Sequence, residues 1–168
     1  MIFSSNRLYV RKLNLDDFEA FNEMQSNKNV MKYIIGRPKT KEENKKELDH
    51  IISMYEKSSG DFCVMAVINK DNDKFIGTCA IIKNGDFEYE IGYRFIEKVW
   101  GNGYGKELLH KLIKYCLVDR DLKEIVAYVD KENIPSVKIL DKSSMEFVRE
   151  YNNQEGKPER MYKVKQQT

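Results

Sequence analysis

Glycines at alternate positions, 101, 103 and 105, immediately precede a helical pattern that begins near Lys106. A strand-like run at 89–95 comes before them. Glycine accepts positive φ and allows a ligand to approach the main chain closely, and a helix start offers free N–H groups at the positive end of the helix dipole. The arrangement favours an anion site, above all for a phosphate or pyrophosphate. A glycine-rich connection without a ligand is the alternative, because short glycine motifs also occur by chance.

Two carboxylates, Glu88 and Glu90, lie on one face of the strand before this loop, among aromatic residues. Partial desolvation by such neighbours raises a carboxyl pKa towards that of a useful general base. Pairing of both carboxylates with Arg or Lys in the sheet explains the pattern equally well, because structural ion pairs also perturb pKa values.

Gly92 interrupts the same strand. An interior glycine often marks a bulge or the close approach of a ligand to the backbone. If the strand bulges there, it would splay from its neighbour and leave main-chain groups free for an extended ligand that carries amides. An acyl-pantetheine carrier matches such a site, because it has amides along an arm and a pyrophosphate at one end.

The elements that must position these residues follow from hydrophobic periodicity. Apolar runs predict strands near 7–13, 62–68, 74–82, 87–95, 124–129, 147–151 and 160–164, and helices begin after Asn14, after Thr40, near Lys106 and at Asn133. A strand–loop–helix–strand passage joins the fourth and fifth strands, which favours their parallel pairing. We therefore expect an α+β fold in a single domain, residues 1–168, with about four helices. Its mixed, mostly antiparallel sheet has six to seven strands and splays between strands four and five.

Composition excludes several classes of function. The 168 residues carry 29 basic and 27 acidic side chains, a net charge of +2, which gives no case for nucleic acid as the main partner. Cys63, Cys79 and Cys116 are scattered without metal-ligand spacing, so we expect buried thiols in a reducing compartment and neither a disulfide nor a metal site. The N-terminus lacks a signal-peptide core and no run is long enough to span a bilayer, so we expect a cytoplasmic protein without a membrane partner.

Three motifs occur in a fixed order over nearly the whole chain: residues 90–93 (EIGY), 100–107 (WGNGYGKE) and 133–136 (NIPS). Together they resemble the GNAT N-acetyltransferase superfamily, and in particular its branch of ribosomal-protein alanine N-acetyltransferases. The resemblance implies transfer of an acetyl group from acetyl-CoA to a primary amine, by direct attack and without an acyl-enzyme. As partners it implies an acceptor amine, either a small molecule or a protein N-terminus, and it allows a homodimer.

The resemblance also implies a role for each matching position. Glu90 stands where several family members carry the general base. The main-chain amides of the glycine segment would bind the CoA pyrophosphate, the main chain of the preceding strand would hold the pantetheine arm and polarise the acetyl carbonyl, and the Asn–Ser pair would line the thiol end. The expected cofactor-binding residues are Tyr93, Arg94, Phe95, Gly101, Asn102, Gly103, Tyr104, Gly105, Lys106, Asn133 and Ser136.

One departure from the family bears on function. Leu140 stands where some members carry a tyrosine general acid. Without that tyrosine, the thiolate either leaves unassisted or uses another residue, and the alternative to an enzyme is a non-catalytic acyl-CoA-binding or regulatory module. Candidate acceptor-site residues are Tyr33, Arg37 and Tyr151, and candidate contacts of the CoA 3′-phosphate are Lys98, Lys106 and Lys138, although exposed lysines more often serve solubility.

Overall fold

The computed structural model describes residues 1–167. Short connections join most of the elements, and five of these elements are α-helices. In chain order the elements are β1 Phe3–Ser4, β2 Leu8–Lys12, α1 Phe18–Gln25, α2 Lys28–Met31, α3 Lys41–Lys57, β3 Phe62–Asn69, β4 Lys74–Lys83, β5 Tyr89–Phe95, α4 Tyr104–Lys114, β6 Glu124–Asp130, α5 Ile134–Asp141, β7 Glu146–Asn152 and β8 Pro158–Lys165.

All eight strands form one sheet in the order β1-β2-β3-β4-β5-β6-β8-β7. Every neighbouring pair is antiparallel except β5 and β6, which are parallel. The chain between those two strands contains α4, because a parallel pair needs a crossover connection rather than a hairpin. The expected α+β fold with a mixed, mostly antiparallel sheet is confirmed, with one strand and one helix more than the pattern predicts.

The fourth and fifth predicted strands are β5 and β6, because β1 is not among the predicted strands. The predicted splay lies between them, since they share a single paired position, Glu90 with Val126. The predicted cause is wrong, because β5 does not bulge at Gly92. Its ladder with β4 continues in register through the Ala80–Gly92 pair. Strand β6 follows its own long ladder with β8. Each half of the sheet therefore keeps its own direction, and the two halves meet at one point.

Helices cover both faces of the sheet. Alternate residues of a strand point to opposite faces, and two neighbours in β5 show what lies on each. The guanidinium of Arg94 contacts Gln25 and Met31, in α1 and α2. The ring of Tyr93 lies beside Gly105 and Ile139, in α4 and α5. One face of β5 therefore belongs to the α1–α3 layer and the other to the α4–α5 layer.

Two short elements escape the sequence pattern. Strand β1 has only two residues and pairs with Tyr9 and Val10, which is too short to show periodicity. Helix α2 begins within the polar run 26–29, where no hydrophobic periodicity indicates a helix. The Asn27 side chain accepts hydrogen bonds from the N–H groups of Asn29 (2.8 Å) and Val30 (3.3 Å) and so starts a new helical turn. This turn places the following residues beside the sheet.

Candidate functional site

A groove of ≈790 Å³ opens where β5 and β6 separate. Its walls come from β5, the glycine loop, the first turn of α5, and α2 with the residues after it. Most of the predicted cofactor-binding residues line it, namely Tyr93, Arg94, Phe95, Gly101, Gly103, Tyr104, Gly105, Asn133 and Ser136. Asn102, Lys106 and Glu90 do not line this groove.

The main chain of β5 faces the groove at Tyr93 and Phe95. Hydrogen bonding alternates along an antiparallel strand, and the Ile96 N–H donates to the Ile76 carbonyl in β4 (2.9 Å). The main chains of Arg94 and Gly92 therefore also bond to β4. The odd-numbered residues of β5 turn their N–H and C=O groups towards β6. Beyond the Glu90–Val126 pair, β6 no longer meets them. The result is a strand edge inside the protein, of the kind that an extended amide ligand can use.

Trp100 already occupies one of these main-chain groups. Its indole Nε1 donates to the Phe95 carbonyl (3.0 Å), while 49% of the side chain remains exposed. The Phe95 N–H is therefore free to donate to a ligand. A ligand that donates to the Phe95 carbonyl would compete with the indole of Trp100. The sequence contains no signal for this contact.

The glycine loop has the geometry of an anion site. Gly101 (φ 78°) and Gly103 (φ 79°) adopt left-handed conformations that other residues reach only with strain. Gly103 is the N-cap of α4, so the helix starts two residues before the predicted position. The N–H groups of its first turn have no partner within the helix, and a Cβ built at Gly101 meets no atom within 4 Å. The loop therefore presents free donors to open space.

Hydrogen bonds of two side chains, Asn102 and Glu107, hold the glycine loop and the start of α4 in place. The Asn102 amide nitrogen donates to the carbonyls of Val99 (2.8 Å) and Trp100 (3.2 Å), so this side chain serves the loop rather than the groove. Glu107 accepts hydrogen bonds from the Ser5 hydroxyl (2.5 Å), the Arg7 N–H (2.8 Å) and Arg7 Nε (2.7 Å). Burial opposes ionisation of Glu107, but these bonds outweigh it and lower its pKa. The contact fastens the start of α4 to the β1–β2 turn.

The Tyr93 hydroxyl is a buried donor without an acceptor. Among the side-chain N and O atoms of residues 1–167, Tyr93 Oη is the only buried one without a hydrogen-bond partner. Burial raises the pKa of Tyr93 to about 12, and the nearby Ser136 hydroxyl opposes part of that rise. Asn133 also lines the groove, and although it is the N-cap residue of α5, its side chain makes no capping hydrogen bond.

Glu88 and Glu90 have different surroundings. Glu88 accepts a hydrogen bond from Tyr128 Oη (2.9 Å), and one of its oxygens lies 3.6 Å from Lys163 Nζ. The carboxylate of Glu90 has neither a hydrogen bond nor an ion pair with any residue from 1 to 167. Burial, followed by the charges of Glu159 and Glu88, raises the pKa of Glu90. Pairing therefore explains Glu88, and it leaves Glu90 as the carboxylate with the properties of a base.

The candidate residues for the acceptor site and the 3′-phosphate also differ in whether they line the groove or already have a partner. Tyr33 lines the groove. Arg37 does not, because Glu43 binds its guanidinium through both oxygens (2.8 and 3.0 Å), and Tyr151 donates instead to Glu159 (2.8 Å). Of the three lysines considered for the 3′-phosphate, Lys98 is paired with Glu23 (3.2 Å), Lys138 is exposed, and Lys106 lines a second cavity of ≈630 Å³ with Arg7, Lys111 and Lys142.

The thiols do not belong to the site. Cys79 and Cys116 are buried, whereas Cys63 is only partly buried, contrary to prediction. Burial raises the pKa of all three, to about 12 for Cys116, so thiolate is scarce at neutral pH. Within residues 1–167 no group of His, Cys, Asp or Glu side chains could hold a metal ion. None of the helices in that range is both long and apolar enough to cross a membrane.

The amino-acid sequence is similar to those of known proteins. Residues 7–146 match the family model described as acetyltransferase (GNAT) domain. The chain is 30% identical to the uncharacterized N-acetyltransferase p20 of Bacillus licheniformis over 158 residues, which cover 91% of this chain and 88% of that protein.

Solved structures show the same fold. A GNAT-family acetyltransferase from Bacillus anthracis superposes with a TM-score of 0.83 at 27% identity, covering 97% of each chain. A spermidine N-acetyltransferase from Vibrio cholerae, solved with CoA and spermine, superposes with a TM-score of 0.76 at 18% identity, covering 95% of this chain and 96% of that one. The match of the family model over most of the chain confirms the family that the motifs suggested. This protein belongs to the GNAT family of acetyltransferases.

Proposed function

We propose that the protein transfers the acetyl group of acetyl-CoA to the nitrogen of a primary amine. One observation carries the proposal: the split between β5 and β6 runs from Glu90, whose carboxylate is unpaired, along a strand edge with free main-chain groups to a loop with free N–H donors. A long ligand with a pyrophosphate at one end and a reactive acyl group at the other fits that succession of features.

The residues of the groove suit coenzyme A in three ways. The first-turn N–H groups of α4 suit the pyrophosphate, the main chain of Tyr93 and Phe95 suits the amides of the pantetheine arm, and the buried Tyr93 hydroxyl lacks an acceptor that a ligand would supply. When bound, acetyl-CoA supplies the activated acyl group. The V. cholerae spermidine N-acetyltransferase, which has this fold, was solved with CoA bound.

Proton transfer is the task of Glu90 in this proposal. Its raised pKa makes the carboxylate a stronger base than an exposed glutamate, and its lack of a cationic partner leaves it free to accept a proton from the acceptor ammonium. The neutral amine then attacks the acetyl carbonyl, which the free main-chain N–H of Tyr93 polarises, because the main chain of Arg94 bonds to β4. The cysteine thiols, with their raised pKa values, take no part as nucleophiles.

The Tyr93 hydroxyl is our candidate for the missing general acid. Leu140, at the position where some family members carry tyrosine, is 5% exposed and packs in the core. Tyr93 reaches the groove from β5 instead, beside Ser136. Its high pKa keeps the proton on Oη at neutral pH, as a donor to a leaving thiolate requires.

Calorimetric titration with acetyl-CoA tests the cofactor half of the proposal. We expect saturable heat at a stoichiometry of one ligand per chain and a rise in Tm, whereas pantetheine, which lacks the pyrophosphate, should bind more weakly. Absence of both heat and thermal shift at millimolar acetyl-CoA would rule the proposal out. Binding without transfer to any amine would instead support the non-catalytic acyl-CoA-binding module.

A further inference from the structure

Arg94 is a partly buried cation without an anionic partner. Its Nη1 donates to the neutral amide oxygen of Gln25 (2.5 Å) and lies 3.8 Å from the Met31 sulfur. Throughout residues 1–167 no carboxylate oxygen lies within 4.0 Å of its guanidinium, and Nε and Nη2 have no acceptor. An arginine retains its charge in proteins, so this site holds a positive charge and several unused donors.

The polar network behind Arg94 does not neutralise it. Gln25 Nε2 donates to Glu47 Oε2 (2.9 Å) and to the side-chain oxygen of Asn44 (2.9 Å). The Glu47 carboxylate is in turn paired with Lys39 Nζ (2.5 Å). The network therefore contains two cations and one anion. Burial lowers the pKa of Arg94 and the more distant charge of Glu47 opposes that effect, as expected for a buried cation without a direct counter-ion.

Arg94 is one of the residues that line the groove. Side chains alternate along β5, so Glu90, Gly92 and Arg94 lie on one face of the strand. Gly92 is exposed, and a Cβ built there meets no atom within 4 Å. An open space therefore separates the unpaired carboxylate of Glu90 from the unpaired guanidinium of Arg94.

We propose that Arg94 binds a carboxylate on the acceptor, so that the substrate is an amine that also carries a carboxylate group. This inference rests on the proposed acetyl transfer. The acceptor lies over Gly92 with its amine towards Glu90 and its carboxylate towards the planar donor fork of Arg94, which suits bidentate binding. Cofactor groups meet other residues, because the glycine loop, Tyr93 and Ser136 belong to the α4–α5 layer on the opposite face.

Charge-matched pairs of acceptors test the proposal. Glycine, β-alanine, γ-aminobutyrate and ε-aminocaproate are each compared with their primary amides, with CoA release measured at saturating acetyl-CoA. In the wild type we expect kcat/KM for at least one carboxylate to exceed that of its amide by about 10- to 100-fold, the range of a charge-assisted hydrogen bond. Equal values for every pair would overturn the proposal, while turnover itself would still support acetyl transfer.

Variants assign the effect to Arg94. Arg94→Met should abolish the preference for the carboxylate through KM and leave the affinity for CoA unchanged, and Arg94→Lys should retain part of the preference. Arg37→Met is the matched control, because that guanidinium is already paired with Glu43, and it should keep the full preference. Comparing ratios between variants cancels differences in amine pKa within each pair. A preference that survives in Arg94→Met would refute the assignment.

Binding provides a readout that needs no turnover. Titration of each amino acid into CoA-saturated protein should give saturable heat in the wild type and about 10-fold or weaker affinity in Arg94→Met. If the wild type acetylates none of the amines, acetyl transfer to this class fails, and the titration still decides whether Arg94 binds carboxylates. If Arg94→Met does not fold, Gly92→Leu fills the space above Gly92 and should weaken the same binding without weakening that of CoA.

Discussion

Replacement of Tyr93 by phenylalanine should make the ligand-free protein more stable. A buried hydroxyl without a partner costs about 1–3 kcal/mol of desolvation, and Tyr93 Oη is such a group. Removing it while keeping the ring should recover about 1 kcal/mol of unfolding free energy, the lower end of that range. At ~2.1 cal/mol/K per residue, a chain of 168 residues has an unfolding entropy of ~0.35 kcal/mol/K, so Tm should rise by about 3 °C.

The matched control is Tyr55→Phe, in which the hydroxyl has partners. Tyr55 Oη donates to the Val64 carbonyl (2.6 Å) and accepts from the Leu13 N–H (2.8 Å). Its loss strands two main-chain groups and should cost about 1–3 kcal/mol, a fall in Tm of about 3–8 °C. Scanning calorimetry without ligand compares the two variants directly.

The same pair of variants tests the role of Tyr93 towards the cofactor. With saturating CoA, the ligand-induced rise in Tm should be smaller in Tyr93→Phe than in the wild type, because phenylalanine has no hydroxyl to donate to the ligand. Tyr55→Phe should show the full ligand-induced rise. A fall in the Tm of ligand-free Tyr93→Phe comparable to that of Tyr55→Phe would refute the reasoning, since it would mean that Tyr93 Oη has a partner in the folded protein.

Three further predictions concern the site. Because the folded-state pKa of Glu90 lies above its ordinary value of 4.5, its contribution to stability is present below that value and is lost as the pH rises through the raised pKa. Glu90→Gln should therefore have a higher Tm than the wild type at pH ~7, with the difference vanishing below pH ~4, and its acetyl-transfer rate should lose the rise that follows Glu90 deprotonation. Glu107→Gln should lower Tm by about 3–8 °C at neutral pH, because it weakens the bonds from Ser5 and Arg7, and a Tm within 1 °C of the wild type would count against that contact. Gly103→Ala should lower Tm by about 3–6 °C through left-handed strain, whereas Gly85→Ala, which has no positive φ and no neighbour within 4 Å, should change it little.

Local patterns predict much of this fold. The alternation in β5 identifies its two faces, the glycine loop marks the start of α4, and the Thr40–Glu43 capping box marks the start of α3, as observed. These signals depend on residues a few positions apart, for which backbone geometry alone fixes the relation. The order of the three motifs also indicates the family, because the motifs are spread over nearly the whole chain.

Contacts between distant residues are what the sequence does not reveal. Arg94 meets Gln25 across 69 positions and Arg7 meets Glu107 across 100, so no periodicity links them. The sequence left open whether Glu88 and Glu90 are both paired. The structure answers this through Tyr128 and Lys163, which belong to other strands and contact Glu88 but not Glu90. The splay likewise depends on two separate ladders rather than on a local bulge at Gly92.

The most direct test of acetyl transfer is a single stoichiometry. Wild-type protein, acetyl-CoA and a panel of primary amines with and without a carboxylate are incubated together, and free CoA and N-acetylated amine are quantified by mass spectrometry along with the intact protein mass. We expect equal amounts of CoA and N-acetylated product, an unmodified protein, and a rate that falls sharply in Glu90→Gln. CoA binding without any acetylated amine, or an acetyl group retained on the protein, would contradict it.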